Sequence, residues 1–197
     1  MESEPIRHRV KLAVRILIFG HAIFYALLLL CFALLPQIFI VAHGISYFGD
    51  NQISRIPYLI AFFVFGLTLF VGGLALPKKD PFKILRFSLF VLAPIAVGIG
   101  ISTRLIFPSL GVLHVPFSMS FFVLQFVLAF WLALLINQDG FNKYLLILIF
   151  ISGIISLLSF KNILPYLLEG QILYQFIFAI LLIRSILLFG KNEGEHL

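Results

Sequence analysis

Six side chains of chemically useful types fall in or beside the short connections between long apolar runs: His43, Ser46, Asp50, His114, Ser118 and Glu169. Imidazoles and carboxylates are zinc ligands. A zinc ion held by His43, Asp50, His114 and Glu169 would activate water for hydrolysis. These four come from three separate connections, so no ligand spacing marks them as a set. His114 and Ser118 stand four residues apart, on one helical face if a helix starts there. A carboxylate beside an imidazole would also orient the ring for proton transfer or for binding a headgroup. The same residues serve equally as a solvated or hydrogen-bonded cap on the helices. No H-E-x-x-H, G-x-S-x-G or phosphate-cradling glycine loop accompanies them. Cys31 is the single cysteine, which excludes an intrachain disulfide and a Cys-pair metal site.

The composition says what must position these residues. Of 197 residues, 62% are hydrophobic, only 11% are charged and 24 are Phe. Mean hydropathy is +1.15. A soluble domain carries about 25% charged residues, so water cannot be the main solvent here. An ordinary soluble enzyme, a disordered tail and a secreted disulfide scaffold are all excluded. The net charge of +6 lies in short loops, and no groove-reading module is present, so nucleic acid is not an expected partner.

A membrane helix needs about 20 mostly apolar residues. Six segments satisfy this, at about 12–35, 56–76, 84–107, 115–136, 144–160 and 170–189. Pro36, Pro77, Pro108 and Gly190 punctuate their ends. The expectation is an all-α, polytopic six-helix bundle, one integral membrane domain over residues 1–197. The first apolar run is too long for a signal-peptide core and no A-x-A site follows, so it reads as a retained helix.

Orientation follows from the basic residues. Eleven of the 14 fall on one side: Arg7, Arg9, Lys11, Arg15, Lys78, Lys79, Lys83, Arg86, Lys143, Arg184 and Lys191. Arg55, Arg104 and Lys161 fall on the other. The bias places both termini in the cytoplasm of a cell membrane and the six candidate residues on its outer face.

Polar groups inside the spans carry further expectations, because lipid does not tolerate them unpaired. His21 is expected to bond a neighbouring helix, and Gln125 to join two helices. Arg104 is expected to snorkel outward or to pair with Asp50 or Glu169. Arg184 is expected to snorkel inward. Ala96 with Gly100, and Ser152 with Ser156, are small pairs that allow close helix approach.

Three stretches together carry a resemblance. Gly44-Ile45-Ser46-Tyr47-Phe48-Gly49 leads into Phe63-Val64-Phe65-Gly66-Leu67 and Gly72-Gly73. Phe107-Pro108 precedes His114-Val115-Pro116-Phe117-Ser118 and Phe121-Phe122. Leu168-Glu169-Gly170 opens the sixth span. This order resembles the prokaryotic six-span family called domain of unknown function nine-nine-eight, and more distantly the Frag/DRAM/Sfk membrane proteins. Members of the first family carry an acid after the loop serine and an Asn in the second span; here Tyr47 and Val64 stand there. The resemblance implies the six-span architecture and no particular activity. Three readings therefore stay open: a protein that binds membrane lipid or a small ligand, or supports a partner; a zinc-dependent hydrolase acting on lipid; and a transporter.

Overall fold

The computed structural model describes residues 3–36, 43–136 and 139–195. Six α-helices follow one another: α1 (Ser3–Leu34), α2 (Arg55–Ala75), α3 (Phe82–Ile101), α4 (His114–Phe130), α5 (Gly140–Phe160) and α6 (Leu167–Glu195). Each contains a stretch long and apolar enough to cross a membrane. There are no strands among the described residues. The chain is a multi-pass, all-helical membrane protein. Successive helices run in opposite senses, so the start of α1 and the end of α6 lie at one end of the bundle, here the terminal end. The 3-10 turn Ile45–Phe48 and the connections after α3 and α5 lie at the far end.

Helix bounds depart from the expected spans where chemistry other than hydropathy decides. Helix α1 starts nine residues before the apolar run, because its basic first turns remain helical with Val10, Ala13, Val14 and Leu17 on one buried face. Helix α3 stops at Ile101, six residues before Phe107, where the proline signal placed the end. Gly98 and Gly100 weaken its last turn, and the Ser102 hydroxyl bonds the Ile99 carbonyl at 3.3 Å. Residues Pro108–Leu113 form a 3-10 turn that delivers the chain to His114, the first residue of α4. Helix α4 then continues as a π-helical turn over Trp131–Ile136.

Phenylalanine fills the core, with Phe24, Phe48, Phe65, Phe82, Phe121 and Phe178 all fully buried. Phe24 stacks on Phe65 with centroids 4.6 Å apart and meets Phe62 edge-on at 5.4 Å, which joins α1 to α2. Glycines let backbones approach. A Cβ on Gly100 would lie 2.8 Å from Phe62 Cβ of α2, and one on Gly170 would lie 2.6 Å from Ser156 Oγ of α5. The two small-residue positions Gly100 and Ser156 thus sit at close helix contacts. Cys31 is buried, and its thiol donates only a long bond, 3.7 Å, to the Ser54 carbonyl.

Two of the basic residues also close a helix end. The last carbonyls of a helix have no partner within it. At the end of α2, Arg9 donates to the carbonyls of Leu74, Ala75 and Leu76 at 3.0–3.2 Å. Arg86 donates to Leu74 and Leu76 at 3.2 and 2.7 Å. Guanidinium groups from α1 and α3 therefore cap α2 and favour its negative dipole end.

Arg184 does more than snorkel. It donates to Asp139 Oδ2 at 2.7 Å and to Asn142 Oδ1 at 3.2 Å, and lies 4.9 Å over the Phe141 ring. These contacts fasten the start of α5 to α6. The hydrogen bond from Arg184 holds the Asp139 carboxyl below its ordinary value of 3.8. A carboxyl depressed on folding stabilises above its unfolded value and loses that contribution as pH falls through the folded value. Stability measured in detergent should therefore be flat in this respect above about pH 5 and decline below about pH 4. Asp139→Asn should remove this part of the acid dependence, and an unchanged acid limb would show the pair to be inert.

Candidate functional site

Three of the six candidate residues converge. Ser46, His114 and Ser118 line one cavity at the far end of the bundle, together with Tyr58, Gln171 and Gln175. Its apolar wall is Phe24, Ile45, Phe62, Phe65, Ile99, Phe121 and Phe122. The room open to the centres of water-sized molecules is about 40 Å³, which suits a few waters or a group of similar size. Five helices and the 3-10 turn Ile45–Phe48 contribute. Helix α4 presents His114, Ser118 and Phe122 at intervals of four, and α6 presents Gln171 and Gln175 likewise. Ser46, His114, Ser118, Phe122 and Gln171 are half-buried, whereas the other lining residues are buried. The mouth therefore lies between α4, α6 and the 3-10 turn.

Each polar group in the lining can be followed to its partner. His114 Nδ1 lies 3.0 Å from the Ser102 hydroxyl. That hydroxyl has one hydrogen, and it faces the Ile99 carbonyl at 3.3 Å. Both bonds form together when His114 Nδ1–H donates to Ser102 and Ser102 donates to Ile99, which leaves a lone pair on His114 Nε2. The Gln171 carbonyl oxygen accepts the Ile45 backbone N–H at 2.8 Å, so the amide NH₂ is left over. Gly44 makes this possible, since a Cβ there would lie 2.8 Å from the same oxygen. The Tyr58 hydroxyl is completely buried and has no partner. Burial without a bond costs about 1–3 kcal/mol, a cost that Tyr25 and Thr103, which do not line the cavity, also carry.

The floor is closed by bonds between α4 and α6. Gln125 and Gln175 exchange two amide bonds, both 2.9 Å. Tyr174 donates its hydroxyl to the Phe122 carbonyl at 2.8 Å. Gln125 thus joins two helices as its position in the apolar run implied.

The other three candidates lie elsewhere. His43 stacks flat on Tyr47, with centroids 4.1 Å apart. Asp50 accepts the Arg104 backbone N–H at 2.8 Å. Glu169 is exposed in the first turn of α6. Among the described residues no three His, Cys, Asp or Glu side chains come together. The zinc set His43, Asp50, His114 and Glu169 is therefore not assembled, because each member faces a different neighbour. Arg104 meets Asp50 through its backbone amide, and its exposed side chain, with no ion pair among the described residues, is free to snorkel outward. The expectation for His21 needs correction. His21 bonds its own helix: Nδ1–H donates to the Leu17 carbonyl at 2.7 Å, and Nε2 has no partner. A carbonyl one turn back is simply the nearest acceptor.

Tyr58, Ser102, Gln171 and Gln175 were not singled out from the sequence. The amides at 171 and 175 carried a usable signal, two polar side chains one turn apart at the head of an apolar run. No family model, curated protein or solved structure matches this chain.

Proposed function

We propose that this membrane protein binds a lipid or another small ligand in the cavity between α4, α6 and the 3-10 turn. The convergence of Ser46, His114, Ser118 and the spare Gln171 amide on one aromatic-walled cavity carries the reading. Aromatic walls with a few convergent polar groups are the ordinary make-up of small-molecule sites. The eleven-to-three distribution of basic residues supports cytoplasmic termini, which would open the cavity toward the outer leaflet. Reporter fusions at Asn51 and Gly140 should then land on opposite sides of the cell membrane, and a same-side result would reject this topology.

Binding is tested by filling the cavity. Ser118 stands at its mouth on α4, half-buried, so Ser118→Phe should block the space while leaving the helix intact. Native mass spectrometry of the wild-type protein extracted from its membrane should show a one-to-one small-molecule adduct. The adduct should be lost in Ser118→Phe. Equal adducts in both proteins, or none in either, would reject the cavity as a binding site.

A further inference from the structure

The lining also constrains what the occupant is. This inference rests on the cavity being a binding site. We infer that the occupant is an uncharged group rich in hydrogen-bond acceptors, a hydroxyl- or ester-bearing glyceride headgroup whose acyl chain lies along the α4–α6 seam.

The inventory of unused hydrogen-bond capacity is one-sided. Gln171 offers both hydrogens of its amide, since only its oxygen is engaged. Gln175 offers one more, since its pair with Gln125 uses one hydrogen and the oxygen. The half-buried hydroxyls of Ser46 and Ser118 each offer an O–H. Against these donors stands one strong nitrogen acceptor, His114 Nε2, beside hydroxyl oxygens that act either way. A ligand that satisfies this lining must bring oxygens that accept, and at least one hydroxyl that donates to His114.

Charge narrows the class further. No Lys, Arg, Asp or Glu lines the cavity. An ionised headgroup deep in an aromatic pocket would lose hydration without a counter-charge to replace it. Asp50, the nearest acid to enter the argument, is engaged with the Arg104 amide and stands outside the lining. A phosphate or carboxylate therefore suits the site poorly, and a neutral hydroxyl or ester suits it well.

Size and placement point to a lipid-borne group. The room open to the centres of water-sized molecules is about 40 Å³, which suits a small headgroup. A chain attached to such a group would leave through the mouth. There α4 exposes Val115, Met119 and Val123, and α6 exposes Leu173 and Phe176, all apolar. The cavity runs from His114, the first residue of α4, to Phe122 in its third turn and Gln175 in the third turn of α6, so its mouth is near the helix ends, where a bilayer's glycerol and ester groups lie.

The test uses the purified full-length chain in detergent and three probes: 1-monooleoylglycerol, oleate and free glycerol. Affinity is read by titration in native mass spectrometry and by thermal stabilisation. The wild type should bind monooleoylglycerol at least tenfold more tightly than oleate, and glycerol far more weakly than either. Ser118→Ala and Gln171→Leu should each weaken monooleoylglycerol about tenfold. Ser118→Ala removes only a hydroxyl that is unbonded among the described residues and favours the helix, so the unliganded protein should be as stable as wild type or more so. Tighter binding of oleate, weakened by the same two variants, would overturn the neutral-group inference and leave the cavity as the site. Glycerol binding as tightly as monooleoylglycerol would overturn the lipid origin alone. Affinities that neither variant changes would overturn both the inference and the binding reading.

Discussion

Gly20→Ala should destabilise the protein more than any other single methyl added to a helix face here. A Cβ at Gly20 would overlap the Cγ2 and Oγ1 atoms of Thr68 and lie 2.5 Å from its Cβ. Thr68 is β-branched and stiff at its first torsion, so neither branch can swing clear. Its Cβ is fixed to the α2 backbone and cannot move at all. Helices α1 and α2 would have to separate where Leu17, Phe24, Phe65 and Leu69 interlock. Overpacking of this kind costs about 1–3 kcal/mol, against a propensity gain of about 1 kcal/mol for replacing glycine in a helix. The net loss should be clear in thermal unfolding in detergent, and larger still for Gly20→Val. Thr68→Ala should recover only part, since it removes the two branch atoms and leaves the Cβ. Gly153→Ala is the comparison, because its added methyl meets only Tyr174 at ordinary contact, 3.5 Å. A Gly20→Ala protein as stable as Gly153→Ala would show that the α1–α2 approach is looser than the structure has it.

The architecture was legible because lipid imposes a simple requirement: a long apolar run that satisfies its own backbone. Six such runs yield six helices. Their ends were less legible. Proline at 108 pointed to a helix stop at Phe107, yet weak glycines and the Ser102 hydroxyl end α3 at Ile101. The candidate site was half legible. Ser46, His114 and Ser118 are brought together, while His43, Asp50 and Glu169 lie outside the lining. Charge drew attention to Asp50 and Glu169, but a charge is most at home facing water, and there Glu169 stays. The amides of Gln171 and Gln175 are quieter in sequence and sit deeper in the fold. Tyr58 could not be told from a core aromatic without seeing that its hydroxyl lacks a partner.

Gln125→Leu should weaken the bundle chiefly through what it leaves behind. Gln125 and Gln175 are 0% and 6% exposed, and each satisfies the other through two bonds. Removing one amide strands the other among apolar side chains. In water-soluble proteins an unmet buried polar group costs about 1–3 kcal/mol. Within membranes, measured interhelical couplings are smaller, about 0.6 kcal/mol on average and up to about 1.7. A doubly bonded, fully enclosed pair should fall at the upper end of that range. Gln125→Leu and Gln175→Leu should each cost about 1–2 kcal/mol in reversible unfolding. The double variant should be more stable than either single one, because two leucines leave no unmet group and fill a similar volume. Additive losses in the double variant would mean that the pair carries no coupling. The same cycle bears on the cavity, whose floor this pair forms with the Tyr174–Phe122 bond. If the amides hold α4 against α6, the single variants should also loosen the mouth and weaken probe binding. The double variant should keep the seam closed and lose only the one amide hydrogen that Gln175 offers the ligand.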